Sequence, residues 1–134
     1  MGYAKFGLPK PGAIVLSYPV VTMGEKAHAG SRNHLLGEAP PEELKNLTSV
    51  EKQVTVAYPA TFLWVGGSDS CVDPDNSRLL HAALESVGIP HEFLEYPGVE
   101  HGVGTGEGLP CEGWFEKAVA FWERSIQENR ADRE

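Results

Sequence analysis

Three short apolar runs punctuate the chain, each closed by glycine or proline. Ala13-Ile14-Val15-Leu16 lies between Pro11-Gly12 and Tyr18-Pro19. Thr61-Phe62-Leu63-Trp64-Val65 stops at Gly66-Gly67, and His91-Glu92-Phe93-Leu94-Glu95-Tyr96 starts after Pro90 and ends at Pro97-Gly98. Runs of this length between turn residues read as β-strands. The first has no polar alternation, which predicts a strand buried on both faces. The third carries two glutamates and has the weaker strand propensity. Helical spacing follows the second and third runs. Leu79, Leu80, Ala83, Leu84 and Val87 share one helix face. Asp75, Asn76 or Ser77 is placed to cap that helix, and Gly88 to end it. Phe115, Val119, Trp122 and Ile126 form the apolar stripe of a second helix, widened by Trp114, Ala118 and Phe121. The polar stretch 126–134 is expected to fray.

The order is strand, long insert, strand, helix, strand, helix. Strands alternating with helices imply a parallel sheet in an α/β fold. The insert, residues 22–58, has no strong period. Short helices are expected near Pro41–Leu47 and Ser49–Gln53, and a segment of this length is usually a lid or binding region.

Composition narrows the classes. The 134 residues fit one domain at most against roughly 150 per domain. With 41% apolar and 22% charged residues the chain is an ordinary globular sequence. Eleven basic against nineteen acidic residues give a net charge of −8, which repels phosphate backbones and argues against nucleic-acid binding. No apolar run approaches the roughly 18 residues of a membrane span. The first residues lack the apolar stretch of a secretory signal, so a cytoplasmic location is expected. Cys71 and Cys111 are then expected as free thiols, although one disulfide would be possible.

The candidate chemistry lies at one sheet edge. Ligands in parallel α/β sheets sit beyond the carboxyl ends of the strands. The second strand runs out into Gly66-Gly67-Ser68-Asp69, and the third into Pro97-Gly98-Val99-Glu100-His101-Gly102. Asp69 and His101 are 101 − 69 = 32 residues apart, enough for one helix and one strand between them. A carboxylate that accepts the Nδ1–H of an imidazole fixes its tautomer and stabilises the imidazolium. The plainer alternative is a capping aspartate and a surface histidine, and spacing alone favours neither strongly. Other patterns are weaker. Ser49-Val50-Glu51-Lys52 has the spacing of a penicillin-binding nucleophile but lacks its companion motifs, so Ser49 reads as a helix cap. Asp69, Asp73 and Asp75 imitate a calcium loop in which Pro74 and Leu80 replace required residues. His28, His34, His81 and His91 lack paired metal-ligand spacing, and no metal or cofactor is expected.

Several pieces occur together in one order: Ala13–Val20, His28-Ala29-Gly30-Ser31 with Leu35-Leu36-Gly37, Pro59–Val65, Asp69-Ser70-Cys71-Val72-Asp73, Asn76-Ser77, Tyr96-Pro97 and His101-Gly102. This run resembles the C-terminal half of α/β-hydrolase esterases. The branch it resembles is acetyl-xylan-esterase-like and feruloyl-esterase-like, related to the prolyl-oligopeptidase and dienelactone-hydrolase domains. The resemblance implies a partial α/β-hydrolase fold with the last three parallel strands, flanking helices and a cap-like insert at 22–58. It implies Asp69 as triad acid, His101 as general base, and small or carbohydrate-borne acyl esters as substrates.

The pattern also departs from that family. Its order is Ser, Asp, His, with the serine in a Gly-x-Ser-x-Gly elbow. Here the nearest imitation, Gly66-Gly67-Ser68-Asp69-Ser70, sits at the acid position and ends in serine. The resemblance therefore implies residues 1–134 as a C-terminal portion, without nucleophile or oxyanion hole. It leaves the strand at 13–16 with an open edge suited to a homodimer or a complementary N-terminal half. Trp64, Trp114, Phe121 and Trp122 are expected to lack part of their cover. A non-catalytic fragment or interaction module of the same fold is the competing reading.

Overall fold

A computed structural model describes residues 2–131, with side chains described for residues 3–128. Three parallel strands lie side by side in chain order: β1 (Ile14–Ser17), β2 (Thr61–Gly66) and β3 (His91–Tyr96). Register pairs Leu16 with Leu63 and Leu63 with Phe93. The helices among the described residues are α1 (Gly2–Lys5), α2 (Ala29–Leu36), α3 (Glu42–Thr48), α4 (Asp75–Val87) and α5 (Trp114–Ala131), with a 3-10 turn at Val50–Lys52; α4 and α5 pack on the sheet. Among the described residues no helix is long and apolar enough to cross a membrane.

Alternate side chains of the strands feed two cores. On one face Leu63 packs with Leu80 and Leu84 of α4, with Val21, Tyr58 and Ile89, and with Ile14, Leu16 and Phe93. On the other, Phe62 and Trp64 pack with Ala118 and Phe121 of α5, with Val99, and with Cys111. All six residues of β2 are buried, as a central strand sandwiched by helices requires.

β1 departs from the expected strand buried on both faces. It spans Ile14–Ser17, is half-buried, and leaves Val15 45% exposed. It lies at the sheet edge, with no neighbouring strand beyond it among the described residues. The amides of Ile14 and Tyr18 donate to the carbonyls of Ala60 and Trp64 on the β2 side. Parallel-ladder alternation therefore turns the amides and carbonyls of Val15 and Ser17 outward.

α4 is closed by Gly88, whose left-handed φ of 76° lets its amide reach the carbonyls of Leu84 and Glu85. Its start differs from the expected caps. Pro74 occupies the capping position, and Asp73 Oδ1 accepts the Asp75 amide at 2.9 Å. Asn76 has another task. Its fully buried Oδ1 accepts the amides of Val21 and Thr22 at 2.9 and 3.0 Å, while its Nδ2 donates to the carbonyls of Lys26 and Asp73. Lys26 adds exposed ion pairs to Asp73 and Asp75, both at 3.1 Å. Arg78, and then Lys26, hold Asp75 below the ordinary carboxylate range. The start of the insert is thus tied to the start of α4. Ser49 occupies the N-cap position expected of it, before the 3-10 turn, but its side chain makes no cap hydrogen bond. It is buried, accepts the Met23 amide at 2.9 Å and donates to the Lys45 carbonyl at 2.8 Å.

α5 is rotated relative to the expected stripe. Ala118, Phe121 and Ser125 face the sheet, whereas Phe115 and Trp122 are 53% and 47% exposed. Phe115, Val119, Trp122 and Ile126 lie roughly a quarter turn round from that core line. A Cβ built on Gly12 would lie 3.3 Å from Cγ1 of Ile126, so this flank faces the β1 side of the sheet. α5 runs through Ala131, and residues 132–134 lie outside the described residues. The insert holds α3 and the 3-10 turn within about a residue of the expected positions, plus α2, which its sequence did not signal.

Asn76 gives a direct test. Asn76→Ala orphans two buried amide donors, at about 1–3 kcal/mol each. The urea midpoint should fall, with the slope unchanged. A loss near that of an ordinary surface substitution would contradict the tie described here.

Candidate active site

The carboxyl ends of β2 and β3 are stitched together before any side chain acts. The Gly67 amide donates to the Tyr96 carbonyl at 2.8 Å, and the Ser68 amide to the Val99 carbonyl at 3.1 Å. The two loops approach so closely that a Cβ on Gly66 would sit 2.1 Å from the Val99 carbonyl oxygen. Only glycine fits there. The Asp69 amide turns back onto the Gly66 carbonyl at 3.2 Å, which aims the Asp69 side chain into the gap between the loops.

Asp69 and His101 meet in that gap. His101 Nδ1 lies 2.7 Å from Asp69 Oδ2. The other oxygen, Oδ1, accepts the amides of Cys71 and Val72, each at 2.9 Å. The Asp69 side chain has no solvent exposure, whereas that of His101 is 31% exposed. Because a carboxylate accepts, His101 Nδ1 donates and neutral His101 keeps its lone pair on Nε2. A buried carboxylate that holds a partly exposed imidazole in that tautomer leaves Nε2 able to accept a proton.

The two sequence readings of Asp69 turn out to be compatible. One oxygen caps the following turn, as a plain structural aspartate would, and the other holds the histidine. Glu100 is exposed and takes the Ser70 hydroxyl at 3.2 Å, which adds a further link between the two loops. Cys71 and Cys111 are both free, the first exposed and the second buried. Of the remaining histidines, His81 pairs with His91, with 2.8 Å between Nδ1 and Nε2, away from these loops. Sequence reasoning missed Tyr18, whose ring centroid lies 4.6 Å from that of His101. It also missed Gly66 as the close-approach residue. The Gly66-Gly67 pair after a strand was the available signal for the second; for the first there was only Tyr18-Pro19 at a strand end. A cavity of about 290 Å³ opens at the other end of the strands, lined by Lys10, Tyr58, Val87, Ile89 and Ser125 among others, and touches neither Asp69 nor His101.

Parallel strands flanked by helices, with an Asp–His pair at their carboxyl ends, are features of the α/β-hydrolase class. The chain belongs to the prolyl oligopeptidase family, whose profile matches residues 13–129. Endo-1,4-beta-xylanase B of Butyrivibrio fibrisolvens is 37% identical over 105 residues, covering 78% of this chain and 16% of that protein. The crystal structure of an acetyl ester-xyloside bifunctional hydrolase from Caldicellulosiruptor lactoaceticus superposes with a TM-score of 0.72 at 38% identity, over 85% of this chain and 44% of that one. A sugar hydrolase from Lactococcus lactis shares the fold, with a TM-score of 0.70 at 23% identity over 88% of this chain and 50% of that one. The chain thus spans half or less of the length of each of these relatives.

Gly66→Ala tests the stitched loops. The added methyl must displace the Val99 carbonyl, so the variant should melt well below the parent, and the Asp69–His101 hydrogen-bonded proton should disappear from its NMR spectrum. Retention of both signals would contradict the close approach.

Proposed function

We propose that this chain supplies the acid and base of a serine esterase that cleaves acyl esters, acetyl groups on carbohydrate foremost. The observation that carries the reading is the 2.7 Å contact between a fully buried Asp69 carboxylate and the half-exposed His101 imidazole. Nε2 of His101 accepts the proton of a serine hydroxyl as that oxygen attacks the ester carbonyl. Asp69 stabilises the imidazolium that results. The proton then passes to the departing alcohol, and water repeats the cycle on the acyl-enzyme to release the carboxylic acid. The choice of ester rests on the relatives above 30% identity, whose names speak of xylan and of acetyl ester-xyloside hydrolysis.

The serine and its oxyanion donors come from polypeptide outside these residues, since the chain carries no Gly-x-Ser-x-Gly segment. The outward groups of Val15 and Ser17 offer that polypeptide a strand to pair with. On the same sheet face, the exposed flank of α5 with Phe115 and Trp122 offers it apolar cover. We take the early part of the segment 22–58, tied to α4 through Asn76 and Lys26, as the cap; its later part, with Val50, Val54 and Tyr58, packs in the core. The second reading is an interaction module without turnover. It draws on the same open edge, which serves a second copy of the chain as readily as a complementary half.

Hydrolysis of p-nitrophenyl acetate separates the two readings. The chain alone should be inactive, and mixing it with an upstream segment bearing the serine elbow should create activity. Within that mixture, His101→Ala or Asp69→Asn should lower kcat by roughly a thousandfold or more. An active mixture indifferent to His101→Ala would refute the assignment. On size exclusion the chain alone should elute above its monomer mass, increasingly so with concentration. A well-ordered monomer at every concentration would count against the open edge as a docking strand.

A further inference from the structure

Tyr18 follows β1 directly, and its backbone is unusual. Its φ of 39° lies in the left-handed region, and among the described residues it is the one non-glycine with a positive φ. Bulky side chains rarely adopt that conformation, and a following proline restricts the residue before it further. Such a conformation persists only where the surroundings over-determine it. Here they do. The Tyr18 amide donates to the Trp64 carbonyl at 2.8 Å. The ring meets Trp64 edge-on, with centroids 5.0 Å apart and planes at 84°. It also lies against His101, with centroids 4.6 Å apart and planes at 59°. Trp64 is itself fully buried, and its Nε1 donates to Ser17 Oγ at 2.9 Å. The tyrosine ring therefore stands on a rigid base and touches the imidazole from the side of β1.

One hydrogen bond fixes the distance of an imidazole from its carboxylate but leaves the ring free to tilt about that bond. A general base has to present its nitrogen within roughly 10–20° of the productive direction. His101 is held by Asp69 through Nδ1 alone and is partly open to solvent. Among the described residues the aromatic ring that meets the imidazole is that of Tyr18.

We propose that Tyr18 is a positioning residue for His101: the strained turn after β1 places an aromatic ring against the imidazole and holds it in line with Asp69. This rests on the reading of Asp69 and His101 as the acid–base pair. The ring does the work, and the hydroxyl has no part in it.

The test uses the full chain and the exchange with water of the His101 Nδ1 proton, followed by NMR. Tyr18→Phe should exchange as the parent does. Tyr18→Gly and Tyr18→Asn both accept a positive φ, so both keep the turn while removing the ring. Each should exchange on the order of tenfold faster, through easier local opening, while the backbone spectrum stays folded. Unchanged exchange in the glycine and asparagine variants would overturn the proposal and leave the acid–base reading standing. Fast exchange in Tyr18→Phe would overturn it too, by giving the hydroxyl the role. Asp69→Asn serves as the separate control. If that variant keeps the proton protected, the acid–base reading itself fails, and the role of Tyr18 with it.

Discussion

The arrangement depends on one hydrogen bond and on the close approach that makes it possible. Asp69 and His101 lie on separate loops, and nothing in their own elements brings them together. The backbone does so, because Gly66 lets the Val99 carbonyl come where any side chain would collide. The amides of Gly67 and Ser68 then lock the loop after β3 onto the loop after β2. With its remaining oxygen held by two amides, the Asp69 carboxylate has one orientation available, and that orientation meets His101. Charge-assisted hydrogen bonds of this kind contribute about 1.5–3 kcal/mol, enough to fix a side chain though not to build a loop. The loop geometry comes first and the chemistry follows from it.

The same economy explains what is well covered and what is not. Trp64 was expected to lack cover, and it is instead fully buried, enclosed by Tyr18, Tyr96 and Trp114. Phe121 is likewise inside. Val15, Phe115 and Trp122 remain exposed on the flank beyond β1, and other apolar side chains are exposed elsewhere, Leu35, Leu47 and Val56 among them. The central strand and both its helices form a closed unit, and the open strand edge forms a line along one side of it. An exposed strand edge beside an apolar flank invites another polypeptide, and specificity for the right one has to come from that line.

Much of this was legible in the residues. The limits of β3 and the start of β2 follow from proline and glycine punctuation, and α4 from its leucines and Gly88. The approach of Asp69 to His101 followed from the rule that loops at the carboxyl ends of adjacent parallel strands converge. The failures share a physical cause. Spacing reports that a helix has an apolar stripe, but a wide stripe does not say which edge faces the sheet; in α5 the smaller Ala118 and Ser125 take the inside with Phe121. An apolar run reports burial somewhere, but β1 lies at the sheet edge, half-buried and with Val15 exposed. α2 buries no residue, and its sequence shows no apolar period. Asn76 and Ser49 read as caps because short polar side chains favour helix starts, whereas each also accepts distant backbone amides that no local pattern reveals. Tyr18 was hidden for the same reason, since its backbone strain and its ring contact exist only in three dimensions.

The most direct measurement of the central claim is the 15N chemical shift of the two His101 ring nitrogens in the neutral imidazole. If Asp69 holds His101 as described, Nδ1 carries the proton and Nε2 is the bare, basic nitrogen. A neutral His101 protonated on Nε2 would contradict the account, because a nitrogen that already bears a proton cannot take one from a nucleophile.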